Sequence, residues 1–417
     1  MYFSAVLNKI NRHMTRLLID ATSTIESGLN TGIQRVVRNI CRYVPEYAVE
    51  DGLECHIIAF DGRQYNFVLI TNVEETKVTK VYRSFRTQVA ALLPSWTYPV
   101  LRTMRRAMRG RWIKVTVRWI PEEGDILLLA DASWNYRPWV AVKDAQLAKV
   151  KILHIVYDLL PLKHPNFFLP ELVLDFKYWW DVSNDYIDSY ICISKSVEDD
   201  VIDFLHQNAK ARGAQVLNFP LGADYPLNAS SQNSKVAFSV DVDKAHVSYL
   251  MVGTIEPRKN HSFVLDAFDR LWSEGNSEVR LIIIGRKGWQ SELFTRRIYD
   301  HPEFGRLLLW LDDCSDAELD AYYQSADVLI AASIDEGYGL PIIEAEFRGL
   351  QVLASDIKVF REVANSAVQF FSLTDVGQLV DRLKHFEPQE KVENSVVAER
   401  LTWQASGEYL YNLVRSI

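Results

Sequence analysis

Short, wholly apolar runs alternate along this chain with longer segments in which apolar residues return every three or four positions. The first kind reads as strands buried on both faces of a parallel sheet, the second as amphipathic helices. Strands are expected over residues 16–20, 55–60, 65–71, 124–130, 151–156, 190–194 and 216–220, and again over 246–252, 279–285, 307–311, 326–332, 351–354 and 368–371. Residues 21–30 read as a polar turn. A helix opens at residue 31, with Ile33, Val36, Val37, Ile40 and Val44 at helical spacing. Further helices are expected over 170–188, 195–205, 261–273, 316–325 and 403–414. Strand–helix alternation with short loops is the mark of doubly wound α/β sheets. The Ser- and Asn-rich stretch 228–240 is the best linker. The chain thus divides into domains over 1–227 and 241–400, followed by a terminal helical segment, 401–417.

Composition narrows the class. The 417 residues are 48% hydrophobic and 24% charged, which suits a soluble protein of two domains. A net charge of −8 argues against bulk nucleic-acid binding. Cys41, Cys55, Cys192 and Cys314 lack metal-ligand spacing and read as free thiols in a reducing cytoplasm. No signal peptide is expected in the first residues, and no run approaches a membrane span. One segment differs in texture: residues 101–118 hold seven Lys or Arg and no acidic residue. There Leu101, Met104 and Met108 form one stripe, and Arg102, Arg105, Arg106 and Arg109 another. Such a helix suits an anionic membrane surface, where a lipid-linked acceptor would be met. It equally suits a solvated helix packed by its apolar stripe on the domain.

Candidate chemistry gathers at residues 331–346. A buried strand runs into a turn containing Gly337 and Gly339, and Pro341 is well placed at the start of the helix that follows. Backbone amides at such a helix start hold anions. Glu336 and Glu344 flank the turn with seven residues between them. Carboxylates would repel a bare phosphate but accept hydrogen bonds from diols, so the pairing fits a nucleotide sugar. Alone, the turn fits a tight strand–helix connection with solvated glutamates equally well. A second cluster, Gly253, Thr254, Arg258 and Lys259, follows the strand at 246–252. Arg offers a planar fork and Lys a mobile point charge for a diphosphate. Strand ends in the first half place Asp131, Trp134, Tyr157, Asp158 and His164 where open α/β sheets bind ligands. Gly32 lies where a loop meets a helix start, and His154, inside a strand, reads as core. The pairs Asp199-Asp200 and Asp312-Asp313 read as caps or solvated charge, so neither a metal nor another cofactor is expected.

The stretch Glu336-Gly-Tyr-Gly-Leu-Pro-Ile-Ile-Glu344 resembles the Glu-x7-Glu motif of retaining glycosyltransferases of family 4. Thr31-Gly-Ile-Gln-Arg35, Gly253-Thr-Ile-Glu-Pro-Arg-Lys-Asn260 and Leu281-Ile-Ile-Ile-Gly-Arg-Lys-Gly-Trp289 are similar to other segments of that family, in the same order. The resemblance implies the GT-B fold, two Rossmann-like doubly wound domains facing each other across a cleft, with the terminal helix returning to the first. It implies that Arg258 and Lys259 hold the donor diphosphate, near Gly253 and Thr254. Glu336 and the amides of Gly337, Tyr338, Gly339 and Leu340 would hold sugar and phosphate, Glu344 the ribose, and residues 310–314 the base. Reaction would proceed with retention. Gly32, Asp131, Trp134 and His164 would lie on the acceptor side. Relatives carry His where this chain has Tyr157, before Asp158, which opens the identity of the catalytic partner. The segments look most like bacterial mannosyl- or rhamnosyltransferases of polysaccharide assembly. GDP-mannose is therefore the first donor expected, UDP-hexose the second, and a glycan or lipid-linked glycan the acceptor, at the cytoplasmic face of the plasma membrane. A GT-B epimerase or a non-catalytic sugar-nucleotide-binding protein are the alternatives.

Overall fold

The computed structural model describes residues 16–27, 31–68, 117–207, 213–224, 246–387 and 402–417. The expected linker and the basic stripe of Arg102, Arg105, Arg106 and Arg109 lie outside the described residues. Contacts divide the chain into two compact units, Met1–His154 and Ile155–Ile417.

The first unit runs β1 (Arg16–Asp20), α1 (Thr22–Ser27), α2 (Gly32–Glu50), β2 (Glu54–Phe60), β3 (Tyr65–Phe67), β4 (Ile126–Leu129), α3 (Trp139–Leu147) and β5 (Lys151–Val156). Strand β1 pairs in parallel with β2 and β4, while β3 turns back antiparallel on β2. Helix α2 buries Val36, Val37, Ile40 and Val44, the stripe its spacing predicted. Arg16 grips Asp125 in a bidentate pair at 2.8 and 2.6 Å, fixing the start of β1 against the turn before β4. Two features depart from the sequence reading. Residues 21–30 are not only a turn, because Thr22–Ser27 forms α1. Its first amides are held by one local and one tertiary carboxylate, Thr22 N–H by Asp20 at 3.1 Å and Thr24 N–H by Asp131 at 2.6 Å. Helix α3 was not expected, since apolar residues lie on both its faces: Trp139 and Val142 are buried, Val140 and Leu147 exposed.

The second unit continues with α4 (Leu160–Lys163), α5 (Pro170–Ser183), β6 (Ser189–Cys192), α6 (Lys195–Gln207), β7 (Gln215–Asn218), β8 (Val247–Val252), α7 (His261–Ser273), β9 (Val279–Ile284), α8 (Glu292–Tyr299), β10 (Leu308–Leu311), α9 (Asp316–Ser325), β11 (Val328–Ala331), α10 (Leu340–Phe347), β12 (Gln351–Ser355), α11 (Lys358–Val363), β13 (Gln369–Phe371), α12 (Val376–Lys384) and α13 (Trp403–Ser416). The strands form two sheets, of order β3-β2-β1-β4-β5-β6-β7 and β10-β9-β8-β11-β12-β13. All the recorded pairings in the second sheet are parallel. Successive strand residues point to opposite faces. Tyr249, Met251, Leu281, Ile283, Val328 and Ile330 therefore enter one core with α7 and α12. Leu250, Ile282, Ile284, Leu329 and Val352 enter another with α9, α10 and α11. Two apolar cores on the two faces make the sheet doubly wound. Helix α13 seats its N-terminus on residues 220–224: Trp403 N–H bonds Asp224 at 2.5 Å and Ser406 Oγ bonds the Pro220 carbonyl at 2.7 Å. Gly222 is required there, since a Cβ would lie 2.3 Å from the Trp403 nitrogen.

Candidate functional site

Helix-starting turns follow β8 and β11, which are neighbours in the second sheet, so the loops after them are brought side by side. After β8, Pro257–Lys259 makes a 3-10 turn that ends on Asn260 with φ 58°, a left-handed conformation that Asn tolerates. The Arg258 carbonyl accepts the Ile334 N–H at 2.8 Å, tying this loop to the one after β11. Ser355 Oγ on β12 donates to the Ser333 carbonyl at 2.6 Å and anchors the second loop from its other side.

Glu336 sits where these loops meet. Arg258 Nη1 lies 2.5 Å from its Oε2. Lys259 Nζ bonds Oε1, which also accepts from Ser333 Oγ at 2.7 Å. The second arm of the Arg258 fork reaches the buried Glu256 at 2.5 Å. Burial works to raise the Glu336 carboxyl, but Arg258 and Lys259 outweigh it and hold it at about 2. Burial pushes Glu256 and Asp158 up, against the pull of Arg258. Burial likewise opposes the Arg258 charge, yet Glu336 and Glu256 hold the guanidinium above its ordinary value. The result is an ionised Glu336 held between the Arg258 guanidinium and the Lys259 amine, with Arg258 kept charged by its carboxylates. A recess beside them is lined by Met251, Lys259, Ser333, Glu336, Gly339 and Pro341. Such an array can share its cations with an incoming polyanion while Glu336 accepts hydroxyl donors.

The glycines make room for this. Gly253 has φ 147°, and a Cβ there would lie 3.4 Å from Cε of Lys259. A Cβ on Gly337 would lie 2.0 Å from the Tyr157 carbonyl oxygen, and Ser194 Oγ donates to the Gly337 carbonyl at 2.8 Å. The loop after β5 therefore packs directly on the turn after β11, and Asp158 lies within electrostatic reach of Arg258 and Glu336. Gly339 has φ 113° and caps α10, which begins at Leu340, so Pro341 is its second residue.

The other expected residues are placed as follows. Tyr338 Oη accepts from Leu221 N–H at 2.9 Å. Thr254 presents its methyl to Gly288, where a Cβ would lie 2.8 Å away. Glu344 is buried in α10 and accepts from Tyr323 Oη at 2.9 Å. His164 bonds Asp335 at 2.9 Å. In the first unit, Asp131 is fully buried and holds the Thr24 and Ala132 amides at 2.6 and 2.7 Å, Trp134 is half-buried in a 3-10 turn, and Gly32 is exposed at the start of α2. His154 is core, 3.2 Å from Ser133 Oγ. Sequence reasoning missed Glu256, Ser333, Asp335 and Lys163. The first two lie within or beside the quoted motifs, so the only available signal was their adjacency.

The family model described as "Glycosyl transferases group 1" matches residues 235–399. The chain is similar to the serotype-specific mannosyltransferase WbdA of Escherichia coli, 30% identical over 418 residues, 97% of this chain and 45% of WbdA. It thus spans about half the length of the WbdA relatives it matches. Among solved structures, sucrose-phosphate synthase from Thermosynechococcus elongatus has a TM-score of 0.60 at 16% identity, over 96% of this chain and 98% of the synthase. Anabaena Alr3699/HepE, in complex with UDP and glucose, has a TM-score of 0.59 at 12% identity, over 97% and 100%. The match to the glycosyl transferases group 1 family thus covers residues 235–399, and the chain as a whole shares the GT-B fold of these solved structures.

Proposed function

We propose that this chain transfers a hexose, with mannose from GDP-mannose as the first candidate, to a glycan or lipid-linked glycan during cell-surface polysaccharide synthesis. We further infer that it does so with retention of configuration and without a metal ion. The observation that carries the reading is Glu336 clamped between Arg258 and Lys259 beside Asp158. The name of the WbdA relative supports mannose and the polysaccharide setting. The domain limits 1–227 and 241–400 are supported by the two sheets, since β7 ends at Asn218 and the second sheet spans 247–371. Arg102, Arg105, Arg106 and Arg109 belong to the proposal as contacts with the anionic inner face of the plasma membrane.

In this reading Arg258 and Lys259 share their charge with the donor diphosphate, near Gly253 and Thr254. Glu336 accepts sugar hydroxyls, the amides of Gly337 to Leu340 contribute at the helix start, and Glu344 takes the ribose. As the C1–O bond to the β-phosphate breaks, negative charge grows on the leaving group, and fixed cations stabilise that state more than the ground state. The acceptor oxygen bonds C1 on the same face, and its proton passes to the departing phosphate oxygen. Tyr157 and Asp158 would orient the reacting groups, since a tyrosine hydroxyl donates a hydrogen bond but is not protonated near neutral pH.

The test is transfer of labelled sugar from GDP-mannose, and in a second arm UDP-glucose, to a mannose-terminated oligosaccharide. Lys259→Ala and Glu336→Gln should each lower turnover by at least about 100-fold, in line with loss of a preorganised charge contact. Product anomers read by NMR should retain the donor configuration. Conversion of the donor without acceptor would favour an epimerase. An untouched donor would favour a binding protein.

A further inference from the structure

We propose that Asp335 is a positioning residue for the transfer reaction, fixing the Glu336 turn through Lys163 and His164 to the loop that carries Tyr157 and Asp158. This inference rests on the role proposed above for Glu336.

Asp335 and Glu336 are consecutive carboxylates whose partners do not overlap. Glu336 faces Arg258, Lys259 and Ser333. Asp335 Oδ1 accepts the Glu336 N–H at 2.8 Å, which restrains the backbone from which the Glu336 side chain springs. Its Oδ2 takes Lys163 Nζ at 2.8 Å and His164 Nε2 at 2.9 Å. Lys163 Nζ continues to Asp200 of α6 at 2.7 Å. Lys163 ends α4, and at the other end of that one-turn helix Asp158 Oδ1 accepts the Leu160 N–H at 3.1 Å. Asp158 and Glu336, two of the carboxylates that act on the Arg258 charge, are thus joined through Asp335 and four residues of helix. A shift of α4 relative to the Glu336 turn would strain the Asp335 contacts.

Charge gives a second reason for the pairing. An uncompensated carboxylate next to Glu336 would repel a diphosphate held by Arg258 and Lys259. Lys163, shared between Asp335 and Asp200, offsets part of that charge, and burial of its ammonium is outweighed by the two carboxylates, which keep it protonated. Surface pairs contribute little to stability. These side chains, 20% to 27% exposed, form a network whose effect is expected in geometry rather than in folding energy.

The test measures steady-state transfer from GDP-mannose, with UDP-glucose as a second arm, beside the thermal midpoint. Misplacing a reacting group by about 1 Å costs about 100-fold, so Asp335→Ala should lower kcat by about 10- to 100-fold. The donor KM should stay within a few-fold of wild type and the midpoint should be nearly unchanged. Lys163→Met should lower kcat in the same direction. Asp335→Asn keeps an acceptor for the Glu336 amide, so adding it to Lys163→Met should cost little more than Lys163→Met alone. Unchanged kcat in both single variants would overturn the inference, as would a fall in midpoint with full kcat per folded molecule. If Asp335→Ala does not fold, Lys163→Met decides by the same criteria. Glu336→Gln separates the two levels. If it is fully active, the proposed function fails and takes this inference with it. If it is inactive while the Asp335 and Lys163 variants keep wild-type kcat, only the positioning role is lost.

Discussion

Carboxylates of one chemical type are driven to opposite ends of their titration range in this molecule, by surroundings that can be named. Glu336, with two cations on it, is held at about 2. Asp20 has no cation paired with it among the described residues. It is fully buried at the end of β1, where Thr22 Oγ1 donates at 2.6 Å, Tyr65 Oη at 3.0 Å, and Tyr136 Oη to the same oxygen as Tyr65. Burial, with a smaller push from Asp131, raises it from 3.8 to about 6 despite those bonds. Between these two values the folded chain keeps a proton that the unfolded chain has released. Stability from this group is therefore greatest below about pH 4 and falls as pH rises through 6, by about 3 kcal/mol in all. Asp20→Asn should remove that slope, so its thermal midpoint relative to wild type should climb from pH 5 to pH 7.5. Parallel curves would refute the assignment. Arg258, Lys259 and Glu336 were legible in the sequence, because a motif names residues whose chemistry is fixed by type. Glu256, Ser333 and Asp335 were not, because nothing local marks a carboxylate as buried or a hydroxyl as aimed at a neighbour.

Strands and helices were legible to the extent that their pattern is local. The helices over 261–273 and 316–325 match α7 and α9 because each has a single apolar face and, in α9, a Ser315 capping box that announces the start. Helix α1 escaped because its start is built by Asp20 and by Asp131 from far along the chain. Helix α3 escaped because Val140 and Leu147 put apolar residues on its solvent face. Gly337 and Gly339 were read as part of a strand–helix turn between β11 and α10. The structure gives a packing reason for the first, the Tyr157 carbonyl against Gly337. Gly337→Ala cannot be accommodated by a side-chain adjustment, since the obstacle is backbone. The turn must shift by an ångström or so, and transfer should fall by about 100-fold. The check is turnover together with the far-ultraviolet circular dichroism spectrum. Normal turnover would show that the two loops separate freely.

For the molecule as a whole, the apolar runs specified two mainly parallel sheets, and the order of four motifs pointed to the GT-B fold. The first follows from burial, which writes itself into the pattern of apolar residues, and the second from residue types that a motif names directly. Which sugar and which acceptor are served depends on a few contacts that leave no such imprint, and these rest on the proposal. Its central claim is that Arg258 and Lys259, held on Glu336, form the diphosphate site. Calorimetric titration of GDP into the intact chain and into Lys259→Ala tests this without an acceptor. Removal of one charge-assisted contact should weaken binding by about 10- to 100-fold. Equal affinity in the two proteins would contradict the account.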